Sequence, residues 1–284
     1  MSHEPRITQV SSPAAPHLDA AHPDFARWQR AAAQAQLRGE LVCTLLAKDI
    51  TLAGARVLDA GCGVGGTSIA LRRHGAVVCA MDRSSARFEQ LRAATDAIDV
   101  REGDLSSLPF GDADFDAVVL QDVIEHVADP ARVLHEITRV LRPGGVLYLS
   151  TPNRDALPNL VADPHFGLPL ASRKSRAQLR SVLRRHRPAD AERDDIAQLL
   201  SARQLDALLR AAGLRWRYVN RAAAGMLFSR PETVVWSDLH LRAVRVLRRT
   251  GLWRPALAMV SDRPGVFNRW INPTWYVLAR KDAS

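Results

Sequence analysis

Cysteine is scarce: three in 284 residues, at Cys43, Cys62 and Cys79, an odd count with no metal-ligand spacing. That excludes a disulfide framework and a thiolate metal site, and leaves the expectation of a reduced, cytosolic protein. Long apolar runs are missing too. None reaches 18 residues, so no stretch reads as a helix able to cross a bilayer. The opening "MSHEPRITQVSSPAAPHLDAAHPDF" is polar and Pro-rich and lacks the charged-then-apolar order of a secretory signal. Residues 1–23 are therefore expected to be a mobile leader. Lysine is nearly absent, with only Lys48, Lys174 and Lys281 among 39 basic residues, a bias from which no function is read. Internal repeats and low-complexity tracts are also lacking.

What remains is a chain that is 47% hydrophobic, enough for one large domain with additions. Its charge is split. Residues 1–150 carry 15 Lys or Arg against 19 Asp or Glu, and residues 151–284 carry 24 against 11, net −4 and +13. The two halves therefore face different things.

The apolar spacing predicts a helix over about 24–47, through Phe25, Trp28, Leu37, Leu41, Leu45 and Leu46. Alternation then begins. "ARVLDA" reads as a strand and "GTSIALRRHG" as a helix closed by Gly75. "AVVCAMD" is a strand, "SSARFEQLRAAT" a helix, "IDVREGD" a short strand and "FDAVVLQD" a buried strand. Asp129 caps the next helix with Pro130 at its first position, and Arg142-Pro143-Gly144-Gly145 is expected to stop it. "GVLYLSTPN" is another strand. Ser201 and Gln204 form a capping box for "ARQLDALLRAAG", and "LRWRYVNRA" and "TWYVLARK" are the last two strands. Strand–helix alternation of this kind predicts an α/β, doubly wound Rossmann-like sheet of seven mostly parallel strands with helices on both faces.

One stretch concentrates the chemistry. "VLDAGCGVGGTSIAL", residues 57–71, places four glycines within six residues, a density that predicts a ligand lying on bare backbone. Gly61, Gly63 and Gly66 fit the dinucleotide pattern, in which a pyrophosphate sits on a helix N-terminus. Asp59, two residues before the first glycine, argues against it, because a carboxylate there repels a pyrophosphate. It attracts a ligand with an ammonium group and no phosphate, such as S-adenosylmethionine. Asp82, ending the second strand, can take both ribose hydroxyls, although dinucleotide folds place an acid there as well. Asp104, ending the third, can accept the adenine amino group while the Leu105 backbone N–H meets a ring nitrogen. Any one of these acids could be an ordinary turn cap; three on successive strand ends describe one crevice.

Residues about 56–152 resemble the class I S-adenosylmethionine-dependent methyltransferases of small-molecule type, a group that includes ubiquinone-biosynthesis O-methyltransferases. The matching stretches are "VLDAGCGVGG", "AMDRS", "GDLSSLPF", "FDAVVLQDVIEHVADP", "VLRPGGVLYLSTPN" and "LSARQLDALLRAAGL". The resemblance implies that Asp59, Gly61, Cys62 and Gly63 line the methionine end of the cofactor. It implies that Asp82 binds the ribose, Arg83 lies along the adenine, Asp104 and Leu105 read its edge, and Gln121 approaches the methionine moiety. Cys62 also reads as a small residue filling a tight turn.

Transfer to a hydroxyl needs its proton removed. His126, in "DVIEHVADP", is the first candidate, with the rival reading that Glu125-His126 braces the turn. His165, in "DPHFGLPL" on the loop after the fifth strand, is the second. No set of residues commits to a metal.

Within the basic half, residues about 153–200 read as a cap over the acceptor site, with seven Arg or Lys and no acid in 172–187. Residues about 225–270 read as a second insertion, with eight arginines against Glu232, Asp238 and Asp262. There Leu239, Leu241, Val244, Val246 and Leu247 interleave with Arg242, Arg245, Arg248 and Arg249, flanked by Trp236 and Trp253. Such a helix either packs on the domain with a solvated basic face or lies on an anionic membrane as a peripheral contact. The acceptor is then a small or lipid-linked molecule: quinone-like, a glycan, or an acidic metabolite. A nucleic-acid methyltransferase is the rival enzyme. Against it, "LQDVIEHV" lacks the Asn/Asp-Pro-Pro-aromatic turn, and no Pro-Cys nucleophile follows. A non-catalytic S-adenosylmethionine-binding regulatory subunit is the rival from another class.

Overall fold

The structure, a computed structural model, describes residues 20–283 except 23, 85, 87, 89, 90, 93, 94, 96, 235–237 and 264. The expected leader therefore lies almost wholly outside the described residues, as do Trp236 and parts of the helix expected after the second strand.

The seven expected strands are β1 Arg56–Ala60, β2 Val77–Asp82, β3 Asp99–Glu102, β4 Phe115–Gln121, β5 Leu141–Pro152, β6 Leu214–Tyr218 and β7 Thr274–Lys281. They form one sheet in the order β3-β2-β1-β4-β5-β7-β6, with β7 antiparallel to both neighbours. The central strands have apolar middles because both faces are covered. Along β4, Val118 and Leu120 join one core cluster and Ala117 and Val119 the other.

Helices α1 Phe25–Ala33, α2 Ala35–Leu46 and α3 Gly66–Arg73 precede β2, and α2 and α3 fill one face through Leu41, Leu45, Ala70 and Leu71. Helix α4 Pro130–Val140 fills the other through Val133, Leu134 and Ile137. Among the helices that follow are α5 Arg176–His186, α6 Ala202–Ala211 and α7 Asp238–Thr250. The α4 cap is as expected, with the Arg132 N–H donating to Asp129 at 3.0 Å. The Ser201–Gln204 box at α6 is complete, and Ser175 and Gln178 make a second one at α5.

Two local expectations need correction. The single helix over 24–47 is two, broken at Gln34 (φ −104°, ψ 4°). The break lets α2 seat directly on α3: a Cβ on Gly39 would lie 2.7 Å from the Ala70 Cβ, and one on Gly66 2.4 Å from the Ala35 carbonyl carbon. Second, the helix does stop before Arg142-Pro143-Gly144-Gly145, at Val140, but the next strand starts earlier than the "GVLYLSTPN" expected for it. Strand β5 begins at Leu141, opposite Phe115, and residues 142–145 form an irregularity before Val146 pairs with Ala117. Pairing across to β4 resumes the strand where local sequence signals read a stop.

Candidate active site

The parallel strands bring the ends of β1, β2 and β3 side by side, which puts Asp59, Asp82 and Asp104 along one edge of the sheet. Asp59 is buried and accepts a hydrogen bond from the Ser68 hydroxyl at 2.5 Å. Burial pushes its carboxyl up to about 6, against the opposing pull of Ser68. Asp82 accepts the Gly63 N–H at 3.0 Å and the Ser84 N–H at 3.1 Å, tying the glycine turn to the end of β2. Asp104 accepts the Ser106 N–H at 2.7 Å, and the backbone donor holds its carboxyl below the usual range. Leu105 is buried beside it and Arg83 is exposed.

The four glycines do not share one role. A Cβ on Gly61 would lie 2.5 Å from Val123, one on Gly65 2.5 Å from Leu91, and one on Gly66 2.4 Å from Ala35. Those three are small because protein fills the space. Of the four, only Gly63 (φ +52°) has nothing within 4 Å among the described residues. Open space against bare backbone is thus found at Gly63, whose N–H donates to the Asp82 carboxylate. Cys62 is buried, and burial drives its thiol well above the ordinary range, so it fills the turn as an inert group.

Farther along the edge, Gln121 ends β4 and accepts the Thr67 hydroxyl at 2.7 Å. Asp122 follows with a positive φ of 53°, accepts the Ser150 hydroxyl at 2.8 Å, and pairs with Arg38 from α2. Arg38 is a site residue that the sequence did not announce. It is one arginine on a helix before the first strand, and only the seating of α2 brings it to the end of β4.

The histidines come next. His126 Nδ1 is 2.7 Å from the Asp195 carbonyl, and Glu125 Oε2 accepts the Thr151 hydroxyl at 2.9 Å. Burial pushes the Glu125 carboxyl up to about 8, with repulsion from Asp122 adding to it. His165 stands against His126 edge to face, ring centroids 4.9 Å apart. The structure therefore brings His126 and His165, expected from separate loops, into one cluster with Glu125. Residues after β5 close over it: the Gln198 N–H donates to the Glu125 carbonyl at 2.8 Å, and Arg176 donates to the same carbonyl at 3.0 Å.

The methyltransferase domain family matches residues 58–149. A probable S-adenosylmethionine-dependent methyltransferase of Mycolicibacterium smegmatis is 44% identical over 102 residues, covering 36% of this chain and 40% of that protein. A ubiquinone biosynthesis O-methyltransferase of Paracidovorax citrulli is 39% identical over 117 residues, covering 39% of this chain and 49% of its own. The chain thus spans less than half the length of either relative. A solved S-adenosylmethionine-dependent methyltransferase from Mesorhizobium loti superposes with a TM-score of 0.53 at 21% identity, over 84% of this chain and 96% of that one, and it shares the fold. The match ends just before the segment that carries His165 and the arginines.

Proposed function

We propose that this chain, a member of the S-adenosylmethionine-dependent methyltransferases through its domain at residues 58–149, transfers a methyl group to an oxygen of a small or lipid-linked acceptor. The observation that carries the reading is the open backbone at Gly63 above Asp82, flanked by Asp59 and Asp104 on the neighbouring strand ends. An adenosine with an amino-acid tail and no phosphate fits that set. Asp82 and Asp104 offer acceptors to ribose and adenine, and buried Asp59 offers a negative end to an ammonium. A pyrophosphate would meet carboxylates instead.

When bound, S-adenosylmethionine supplies a sulfonium methyl group that an acceptor oxygen displaces in line. The chain supplies alignment and a site shielded from water. His126 takes the acceptor proton at Nε2, because its Nδ1 faces the Asp195 carbonyl and carries the ring hydrogen. His165 is the alternative base from the opposite side of the same cluster. Residues 153–200 cover the acceptor side through Gln198 and Arg176. Residues 225–270 supply peripheral contact with an anionic membrane, from which a quinone-like or glycan lipid could be presented.

Calorimetric titration with S-adenosylmethionine and with NAD, on the chain and on Asp82→Ala, tests this reading. Micromolar binding of the first alone, weakened at least about tenfold in the variant, is the expected result for loss of a charge-assisted hydrogen bond of roughly 1.5–3 kcal/mol. Binding of NAD instead removes every role assigned here. Release of S-adenosylhomocysteine upon addition of lipid extract separates an enzyme from a regulatory subunit, and salt-sensitive RNA binding would favour the nucleic-acid rival.

A further inference from the structure

The cluster beyond the cofactor crevice has a composition that proton transfer alone does not require. Glu125 lies in the turn after β4, His126 follows it, and His165 comes from the loop after β5. One ligand-capable atom from each lies within 4.8 Å of the others. Sequence reading found no metal set because the third member sits on a different loop and joins the pair only through the fold.

We propose that Glu125, His126 and His165 bind one divalent first-row transition-metal cation. Each residue is presented in the way such a site requires. Glu125 is 1% exposed. Its Oε2 is held by Thr151, while Oε1 accepts no hydrogen bond among the described residues. A buried carboxylate oxygen without a donor is costly, and a cation removes that cost. His126 has Nδ1 on the Asp195 carbonyl at 2.7 Å, which fixes the tautomer and assigns Nε2 to the metal. His165 Nδ1 is 3.9 Å from Asp163 Oδ1, longer than a hydrogen bond, and its Nε2 is 3.9 Å from Glu125 Oε1. Asp163 is itself fixed by the His165 and Phe166 N–H groups at 2.9 and 3.0 Å. His126 thus carries a carbonyl oxygen behind its ring, the arrangement that outer-shell oxygens give to metal-bound histidine, and one ligand-capable atom of each residue lies within 4.8 Å of the others.

Ligand atoms around such an ion stand about 3 Å apart. Closing from the observed spacing takes movements of about 1–2 Å, within reach of side-chain rotation on the His165 loop. Two imidazoles and one carboxylate select first-row transition metals over magnesium or calcium, which favour oxygen alone, and leave coordination positions open. Asp122 is not part of the set, since Arg38 and Ser150 occupy its oxygens. If the methyltransferase reading holds, an ion there would take the acceptor hydroxyl at an open position and lower its pKa, standing in for His126 Nε2 as the means of removing the proton, which deepens that reading without being required by it.

The test is titration of chelator-treated full-length protein with manganese(II) chloride, followed by loss of the free-ion electron paramagnetic resonance signal. One Mn(II) per chain is expected, displaced by equimolar Zn(II) and resistant to a large excess of Mg(II). Glu125→Gln and His165→Ala should each weaken binding about 100-fold or more, and His135→Ala, at an exposed histidine elsewhere, should leave it unchanged. Melting temperature and S-adenosylmethionine titration on each variant verify that it is folded. No saturable Mn(II) or Zn(II) binding by the wild type would overturn the proposal and leave Glu125 as the ion-pair partner of His165. Equal binding by both folded variants would overturn it as well. Metal binding without S-adenosylmethionine binding would instead sink the methyltransferase reading alone.

Discussion

The two arginine-rich stretches have similar compositions and opposite fates. In 172–187 Arg176, Arg180 and Arg187 are turned inward, while Arg173, Arg184 and Arg185 stay exposed. Arg176 donates to the carbonyls of Glu125, Val127 and Ile196. Arg180 reaches the carbonyls of Ala191 and Arg193, both at 3.1 Å. Arg187 bonds Asp190 at 2.8 Å and the Phe166 carbonyl at 2.7 Å, and pairs with Asp24. In 238–254, by contrast, Arg242, Arg245, Arg248, Arg249 and Arg254 are exposed. Helix α7 buries Val244 on the fold and leaves its arginines in solvent, with Val246 58% exposed among them. A run of positive charge is therefore not evidence for a charged partner until the carbonyls it can reach are known. A long guanidinium beside irregular chain satisfies that chain, whereas one on the outer face of a helix finds only water.

The largest expected effect comes from breaking the inward set. Arg176→Met leaves the Val127 and Ile196 carbonyls without their donor and takes one of two donors from the Glu125 carbonyl, at about 1–3 kcal/mol for the orphaned groups together with the lost charge-assisted bonds. A loss of about 2–4 kcal/mol in chemical denaturation is expected, with reduced turnover because the Glu125 turn loses its brace. A change under 0.5 kcal/mol would mean that the inward arginines are as idle as the outward ones.

Buried Asp59 gives the converse, an acid in the interior with no ion pair among the described residues. Burial raises its carboxyl from the model-compound value of 3.8 to about 6. The native state then keeps a proton that the unfolded chain has released, so stability falls as pH rises through this window. The slope approaches about 1.4 kcal/mol per pH unit between the two values. Asp59→Asn should flatten it. In the same window, affinity for a cofactor ammonium should rise with pH as the carboxylate forms, and in the variant that rise should vanish. A calorimetric pH series on both proteins decides it.

The smallest effect on stability is expected for Arg245→Ala, Arg248→Ala and Arg249→Ala combined, within about 0.5 kcal/mol per site. Sedimentation with anionic vesicles sharpens the comparison, because each arginine at a membrane surface is worth about 1 kcal/mol, or about fivefold in partitioning. A triple variant that sediments like the wild type would assign α7 to packing alone. Among the described residues no helix is long and apolar enough to cross a membrane.

How far the sequence reached follows the range of the forces involved. Strand and helix order, the Asp129 cap and the Ser201–Gln204 box were legible because each is set within a few residues, by side-chain periodicity and by donors left open at a helix end. The three strand-end acids were legible because a parallel sheet aligns its carboxyl ends by construction. The glycines were legible as a turn but not as contacts. Val123, Leu91 and Ala35 crowd three of them, and no local signal tells these from the one at Gly63 that faces open space. Arg38 on Asp122 and His165 beside Glu125 were equally hidden, since each joins segments far apart in the chain. The sequence by itself determined the elements, their order and the edge on which acids gather, because those depend on neighbours along the chain. The tertiary structure alone decided which glycine is open, which arginines are occupied and which histidines meet a buried carboxylate, because those are distances between residues that the chain brings together only when the core closes.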